Sequence, residues 1–156
     1  MAAPTWRLPH RLYTNQVIFL PFCRHYAEHS GYWETTLFLK EESEASGEIT
    51  FYDSNTGKAL FYAPRNRSWT AFVEESLNHG WPSFRDSEVN WDLVRCLPNG
   101  EAVSIDGTHL GHNLPDHAGN RYCINLVSVA GRPADAWLWN RNEGTPKNYL
   151  ECDEIN

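Results

Sequence analysis

The stretch GEITFYDSNTGKALFYA (47–63) constrains the fold of this chain more than any other. Apolar and aromatic residues alternate with polar ones on both sides of DSNTG, so the segment reads as strand, turn, strand. The central polar cluster supports reversal, because Asp, Ser and Asn side chains bond the nearby backbone and glycine accepts turn conformations. Similar alternation predicts strands in GYWETTLFLK (31–40), VNWDLVRCL (89–97) and RYCINLVSVAG (121–131). Tryptophan, tyrosine and phenylalanine number seven each, a supply that suits sheets better than helices. In WTAFVEESLNHG (69–80), by contrast, Trp69, Phe72, Val73 and Leu77 fall on one helical face and Gly80 supplies a stop. KEESEASGE (40–48) reads as a solvated loop, and PNGEAVSIDG (98–107) as a hairpin or an insertion. The prediction is a mainly β, antiparallel domain with one or two short helices.

At 156 residues the chain has the length of one ordinary domain with its own core. A net charge of −7 and a pI near 5.4 argue against nucleic acid as a partner. VIFLPF (17–22) is too short for a membrane span, and no secretory signal pattern is expected. Arg7, Arg11 and Arg24 precede the first acidic residue, Glu28. This reads as a basic arm docked on an acidic domain, with an organellar transit segment as the alternative; the expected location is cytoplasmic or, on that alternative, organellar. After Gly131 the tail contains Trp137 and Trp139, and its first half is expected to lie on the domain. No long apolar stripe is left over, which favours a monomer.

Four cysteines (Cys23, Cys96, Cys123 and Cys152) are too scattered for a disulfide framework and contain no C-x-x-C pair. Cys123 stands out, because THLGHNLPDHAGNRYCIN (108–125) surrounds it with histidines, aspartates and an arginine. On a strand, residues two apart share a face. Arg121, Cys123 and Asn125 therefore lie on one side of RYCIN, placing a cation beside a thiol. Positive charge stabilises a thiolate. His109 and His112 offer proton donors, and Asp116 could orient one of them. Two other readings stay open: Cys123 as a small core residue, and His109, His112 and Asp116 as the ligands of a metal enzyme.

Together with GWPSF (80–84), the segments THLGHNLPD and RYCIN resemble the methionine-R-sulfoxide reductases, the MsrB family. PFCRHYAEHSGYW (21–33) and TGKALF (56–61) are similar to further family segments, and the resemblance spans residues 16–131 in the right order. It would make residues 1–15 an N-terminal arm, 16–131 the catalytic domain and 132–156 a C-terminal tail. It implies a pair of packed antiparallel sheets with a few short helices, and thiol-dependent reduction of the R epimer of methionine sulfoxide. In that family's terms Cys123 is the nucleophile, Arg121 favours its thiolate and Asn125 helps fix the site. His112 is the acid that protonates the sulfoxide oxygen, supported by His109 and Asp116, while Trp81 walls the pocket for the substrate methyl group. The expected partners are oxidised methionine, free or peptide-bound, and a thioredoxin-like reductant.

Three departures from the family pattern stand out. The two C-x-x-C pairs of its usual zinc site read here Asp53-x-x-Thr56 and Cys96-x-x-Asn99, so structural zinc is expected to be absent and Cys96 to lie in the core. His79 takes the place of a resolving cysteine, which makes Cys23 or Cys152 the candidate internal resolving thiol, with direct reduction by an external thiol as the alternative. The connection from His112 to Cys123 is shortened, with DHAGN in it. The last two leave open a binding module on the same fold that no longer turns over.

Overall fold

In a computed structural model of the chain, residues 27–36 and 47–130 are described. The N-terminal arm, Cys23, the charged connection up to residue 46 and the tail with Cys152 lie outside them. The described residues are mainly β, as the alternation predicts. Two antiparallel sheets, of two and five strands, are joined by one α-helix and short 3-10 turns.

β1 (Ile49–Tyr52) and β2 (Ala59–Ala63) form the expected hairpin, with Ile49 opposite Ala63 and Phe51 opposite Phe61. Its turn closes through local bonds. Asp53 N–H donates to Lys58 O at 2.8 Å, Gly57 N–H to Asp53 O at 2.9 Å, and the Asp53 carboxylate accepts from Asn55 N at 2.8 Å. The helix α1 (Trp69–His79) also forms where its spacing predicts. Ser68 caps its start by accepting from Ala71 N, and Gly80 ends it at φ +89°, a left-handed conformation that a side chain rarely adopts.

The larger sheet runs β3 (Ser83–Phe84), β7 (Tyr122–Ile124), β6 (His109–Asn113), β5 (Glu101–Ser104), β4 (Val94–Cys96). The sheets and helix meet around Phe84, which stacks on Phe61 at 4.3 Å between ring centroids and meets Phe51 edge-on at 5.0 Å and Phe72 of α1 at 5.6 Å. Trp33, Leu110, Ile124 and Leu126 complete a core in which each is fully buried. No helix among the described residues is long and apolar enough to cross a membrane.

Several segments depart from the sequence reading. Tyr32–Thr35 is a 3-10 turn inside the strand expected over 31–40, of which residues 37–40 lie outside the described residues. Gly31 enters it at φ +79°, and the hydroxyls of Thr35 and Thr36 donate to Tyr32 O and Trp33 O at 2.6 Å each. Local hydroxyl bonds thus win over extension. Only Val94–Cys96 of 89–97 is a strand, because Asn90 turns the chain by binding β2 through its N–H to Leu60 O and its side chain to Ala59 O. Residues 98–107 supply β5 itself, inside the sheet. On α1, Leu77 is exposed and Ser76 is buried in its stead, its hydroxyl accepting from Ser83 N at 3.0 Å.

Candidate functional site

Strand pairing builds the site. Cys123 on β7 stands opposite Ser83 of β3 on one side and His112 of β6 on the other, and His112 in turn stands opposite Glu101 of β5. Directly opposed residues project from the same face of a sheet. Tyr122 and Ile124 take the other face, into the core. Gly111 lets β6 and β7 close up: a Cβ there would come within 2.0 Å of Cys123 O.

On the Cys123 face lies a cavity of about 360 Å³. Cys123, His109, His112, Asn125 and Trp81 all border it, and Ala27 and Leu114 add apolar surface. The thiol itself is nearly buried. Arg121 Nη1 lies 2.7 Å from its Sγ, and Ser83 Oγ lies 3.9 Å away. Burial pushes the Cys123 thiol above its usual value, and the field of Glu75 adds to this; Arg121 and Ser83 pull it back only in part. A thiolate forms here at a desolvation cost that one guanidinium contact does not fully offset.

The histidines differ. His112 is exposed at the cavity edge, with its ring over Gly100, where a Cβ would meet Nε2 at 2.5 Å. His109 is buried, and its Nδ1 is 3.0 Å from Glu101 Oε1. A carboxylate on one ring nitrogen fixes the orientation and tautomer of the imidazole. The group that orients a histidine is therefore Glu101.

Asp116, expected to support a histidine, instead binds arginines. Arg85 grips both its oxygens, Nη1 to Oδ1 at 3.0 Å and Nη2 to Oδ2 at 2.9 Å, and Arg121 Nε is 3.5 Å from Oδ2. The Arg85 contact, with a bond from Ala118 N–H, holds the Asp116 carboxyl well below the usual range. The shortened connection is a tight turn in which Asp116 N bonds Gly119 O at 2.9 Å and Leu114 N bonds Arg121 O at 2.7 Å.

Asn125 anchors the site to the segment that roofs it. Its Nδ2 donates to Leu110 O at 3.1 Å, and its Oδ1 accepts from Glu28 N at 2.9 Å. Glu28 is a residue of the candidate site that the sequence reading missed. Its carboxylate accepts from Leu126 N at 2.8 Å and Val127 N at 3.3 Å, and its carbonyl accepts from the Trp81 indole at 2.8 Å. Burial raises the Glu28 carboxyl to about 7. Nothing in local spacing signals such a partner across 97 residues of sequence. Arg85 reaches Asp116 from just after β3 in the same way, and Glu101 meets His109 only through the β5–β6 pairing.

Asp53 and Cys96, which stand where the resembled family has its two C-x-x-C pairs, lie at different ends of β5. The Thr108 hydroxyl donates to the Asp53 carboxylate, both of whose oxygens lie 3.0 Å away, Asn55 Nδ2 donates to the same hydroxyl at 3.1 Å, and Lys58 pairs with Asp106 at 2.9 Å. The 53–58 turn thus docks on the β5–β6 turn, whereas Cys96 lies beside the 97–100 turn at the other end of β5. Cys96, expected in the core, is exposed there with its Sγ 3.8 Å from Leu97 O and Gly100 O. The alternative metal set of His109, His112 and Asp116 is not brought together either. No group of three or more metal-ligating side chains exists among the described residues.

Cys96 is also badly placed to pair with Cys123. Cross-strand register puts it in line with Ala102, Gly111 and Ile124, three strands from β7. Strand spacing makes that roughly 14 Å, twice what a disulfide tolerates. Set against family models, curated proteins and solved structures, the chain finds no match.

Proposed function

We propose that the protein reduces methionine-R-sulfoxide, using Cys123 as nucleophile. The observation that supports this most directly is the Cys123 thiol at the edge of a cavity, with Arg121 Nη1 at 2.7 Å and His112 opposite it across the β6–β7 ladder. The chemistry needs a thiolate and an acid on two sides of one substrate group. The sulfoxide sulfur meets the Cys123 thiolate while its methyl group rests against Trp81. His112 gives a proton to the sulfoxide oxygen, and His109, held by Glu101, stands beside it. The oxygen passes to Cys123 as a sulfenic acid and the thioether leaves as methionine. A second thiol then displaces water from the sulfenic acid to give a disulfide, and a thioredoxin-like dithiol reduces it. Cys23 and Cys152 are the internal candidates for that thiol.

A second reading is a peptide-binding module on the same fold. The upward displacement of the Cys123 thiol favours it. The two readings separate when R and S epimers of a blocked methionine sulfoxide are offered with dithiothreitol, alongside Cys123→Ser. Turnover of the R epimer alone, abolished in the variant, is the expected result. A folded protein with free thiols that reduces neither epimer leaves the binding module.

A further inference from the structure

Arg85 directly follows β3 and belongs to none of the segments that carry the family resemblance. It nevertheless occupies the centre of a chain of alternating charges. Buried Glu88 binds Arg67, with Oε2 to Nη2 at 2.6 Å; Arg67 binds Glu75; Glu75 binds Arg85; Arg85 binds Asp116; and Asp116 faces Arg121. Arg121 Nη1 ends the chain on Cys123 Sγ at 2.7 Å.

The geometry of the last links is uneven. Arg85 takes both oxygens of Asp116 in two parallel bonds, the arrangement in which guanidinium and carboxylate bind most strongly. Arg121 meets the same carboxylate only through Nε at 3.5 Å, which leaves Nη1 for the sulfur. A carboxylate with free oxygens at this place would compete with the sulfur for the Arg121 fork. The Asp116–Gly119 backbone bonds close the turn, and Arg85 Nη1 adds a bond to Asn120 O at 3.1 Å, next to Arg121.

We infer that Arg85 is a positioning residue for the reactive thiol. By engaging both oxygens of Asp116, it keeps that carboxylate from capturing Arg121 and leaves Arg121 on Cys123. This rests on the reading of Cys123 as nucleophile and adds how its cation is held. The charged and titratable groups facing Cys123 are Arg121 just before its own strand, His112 and His109 on β6, and Glu75 from α1. Of these only Arg121 touches the sulfur, so its placement sets the thiolate population.

The test is the rate at which iodoacetamide alkylates Cys123 across pH, read by peptide mapping so that the other thiols do not interfere. It needs no turnover. Arg85→Met should move the profile upward by about one pH unit, making alkylation about tenfold slower at neutral pH. Arg85→Lys should fall between, because an ammonium keeps the charge without the two-pronged grip. The decisive arm adds Asp116→Asn to Arg85→Met: with the competing carboxylate gone, the profile should return close to the parent's. If Arg85→Met does not fold, the same comparison is made between Arg85→Lys and its Asp116→Asn double variant. An unchanged profile in a folded Arg85 variant, or a double variant as slow as the single, overturns the inference. Failure of the epimer assay with this result intact removes the reductase reading alone.

Discussion

His112 stands directly opposite Cys123 in the antiparallel pairing of β6 and β7, so an imidazole and a thiol project from the same face of the sheet. His112 is exposed, whereas His109 is buried against Glu101. Replacement of the two should therefore separate. His112→Gln is expected to lower kcat by about two orders of magnitude, the usual contribution of a positioned acid, while leaving thermal unfolding unchanged. His109→Gln should lower both activity and stability, because it leaves the Glu101 carboxylate buried without the ring that bonds it. Parallel kinetics and melting curves on the two variants check this, and equal behaviour of the pair would sink the assignment of His112 as acid.

Gly111 permits that pairing. A methyl group at this position would overlap Cys123 O at 2.0 Å and Ile124 Cα at 2.9 Å, both backbone atoms that cannot swing aside. Gly111→Ala should push β6 from β7 and destabilise the protein by about 1–3 kcal/mol, in the range of overpacking elsewhere. Urea unfolding gives the number. An alanine variant as stable as the parent would mean that the strands are not so closely apposed.

What could be read from the chain was what lies close together along it. The β1–β2 hairpin and α1 are set by neighbours: Asp53 bonding Asn55, Ser68 capping Ala71, Gly80 closing the helix. The alternation of RYCIN put Arg121 and Cys123 on one face, and they touch. Register was not legible, because HLGH gives no sign of which residue of another strand it opposes. Nor could the sequence show that Ser76 and not Leu77 faces inward, since that depends on Ser83 N needing an acceptor. The ties of Glu28 to Asn125, of Glu101 to His109 and of Arg85 to Asp116 exist only once the sheets are assembled. Over 31–36 the expected strand gives way for a local reason, the hydroxyls of Thr35 and Thr36.

Glu28 makes stability depend on pH. Burial raises its carboxyl from 4.5 to about 7, so the folded protein holds this proton more tightly than the unfolded chain. A group with a raised folded value stabilises most fully below its unfolded value, and that contribution is lost as pH rises through the folded one. Between about pH 5 and 8 the protein should therefore lose on the order of 3 kcal/mol that a Glu28→Gln variant does not lose. The measurement is urea unfolding of both proteins across that window. Parallel pH dependences in the two would show that Glu28 is ionised throughout. Because Ala27 borders the cavity and Glu28 O holds Trp81, the same titration should loosen the roof of the site.

The dock between the 53–58 turn and the β5–β6 turn sets the last expectation. Asp53 is fully buried, and its carboxylate is shared by the Thr108 hydroxyl and Asn55 N. Ser54 N–H adds a bond to Ser128 O at 3.0 Å, tying the small sheet to the segment just after β7. These bonds occupy the place where the small sheet meets the large one, and they need no metal. Asp53→Ala strands a buried hydroxyl and an amide together, which should cost about 2–3 kcal/mol. Thr108→Val removes the partner hydroxyl, so the double variant should lose less than the sum of the singles, with a coupling of about 1 kcal/mol. A chelator should leave the unfolding midpoint of the parent unchanged, since a bound metal would stabilise the folded state by mass action and its removal would lower the midpoint. Additive single variants together with a chelator-sensitive midpoint would show that an ion, and not the Asp53–Thr108 bond, joins the two sheets.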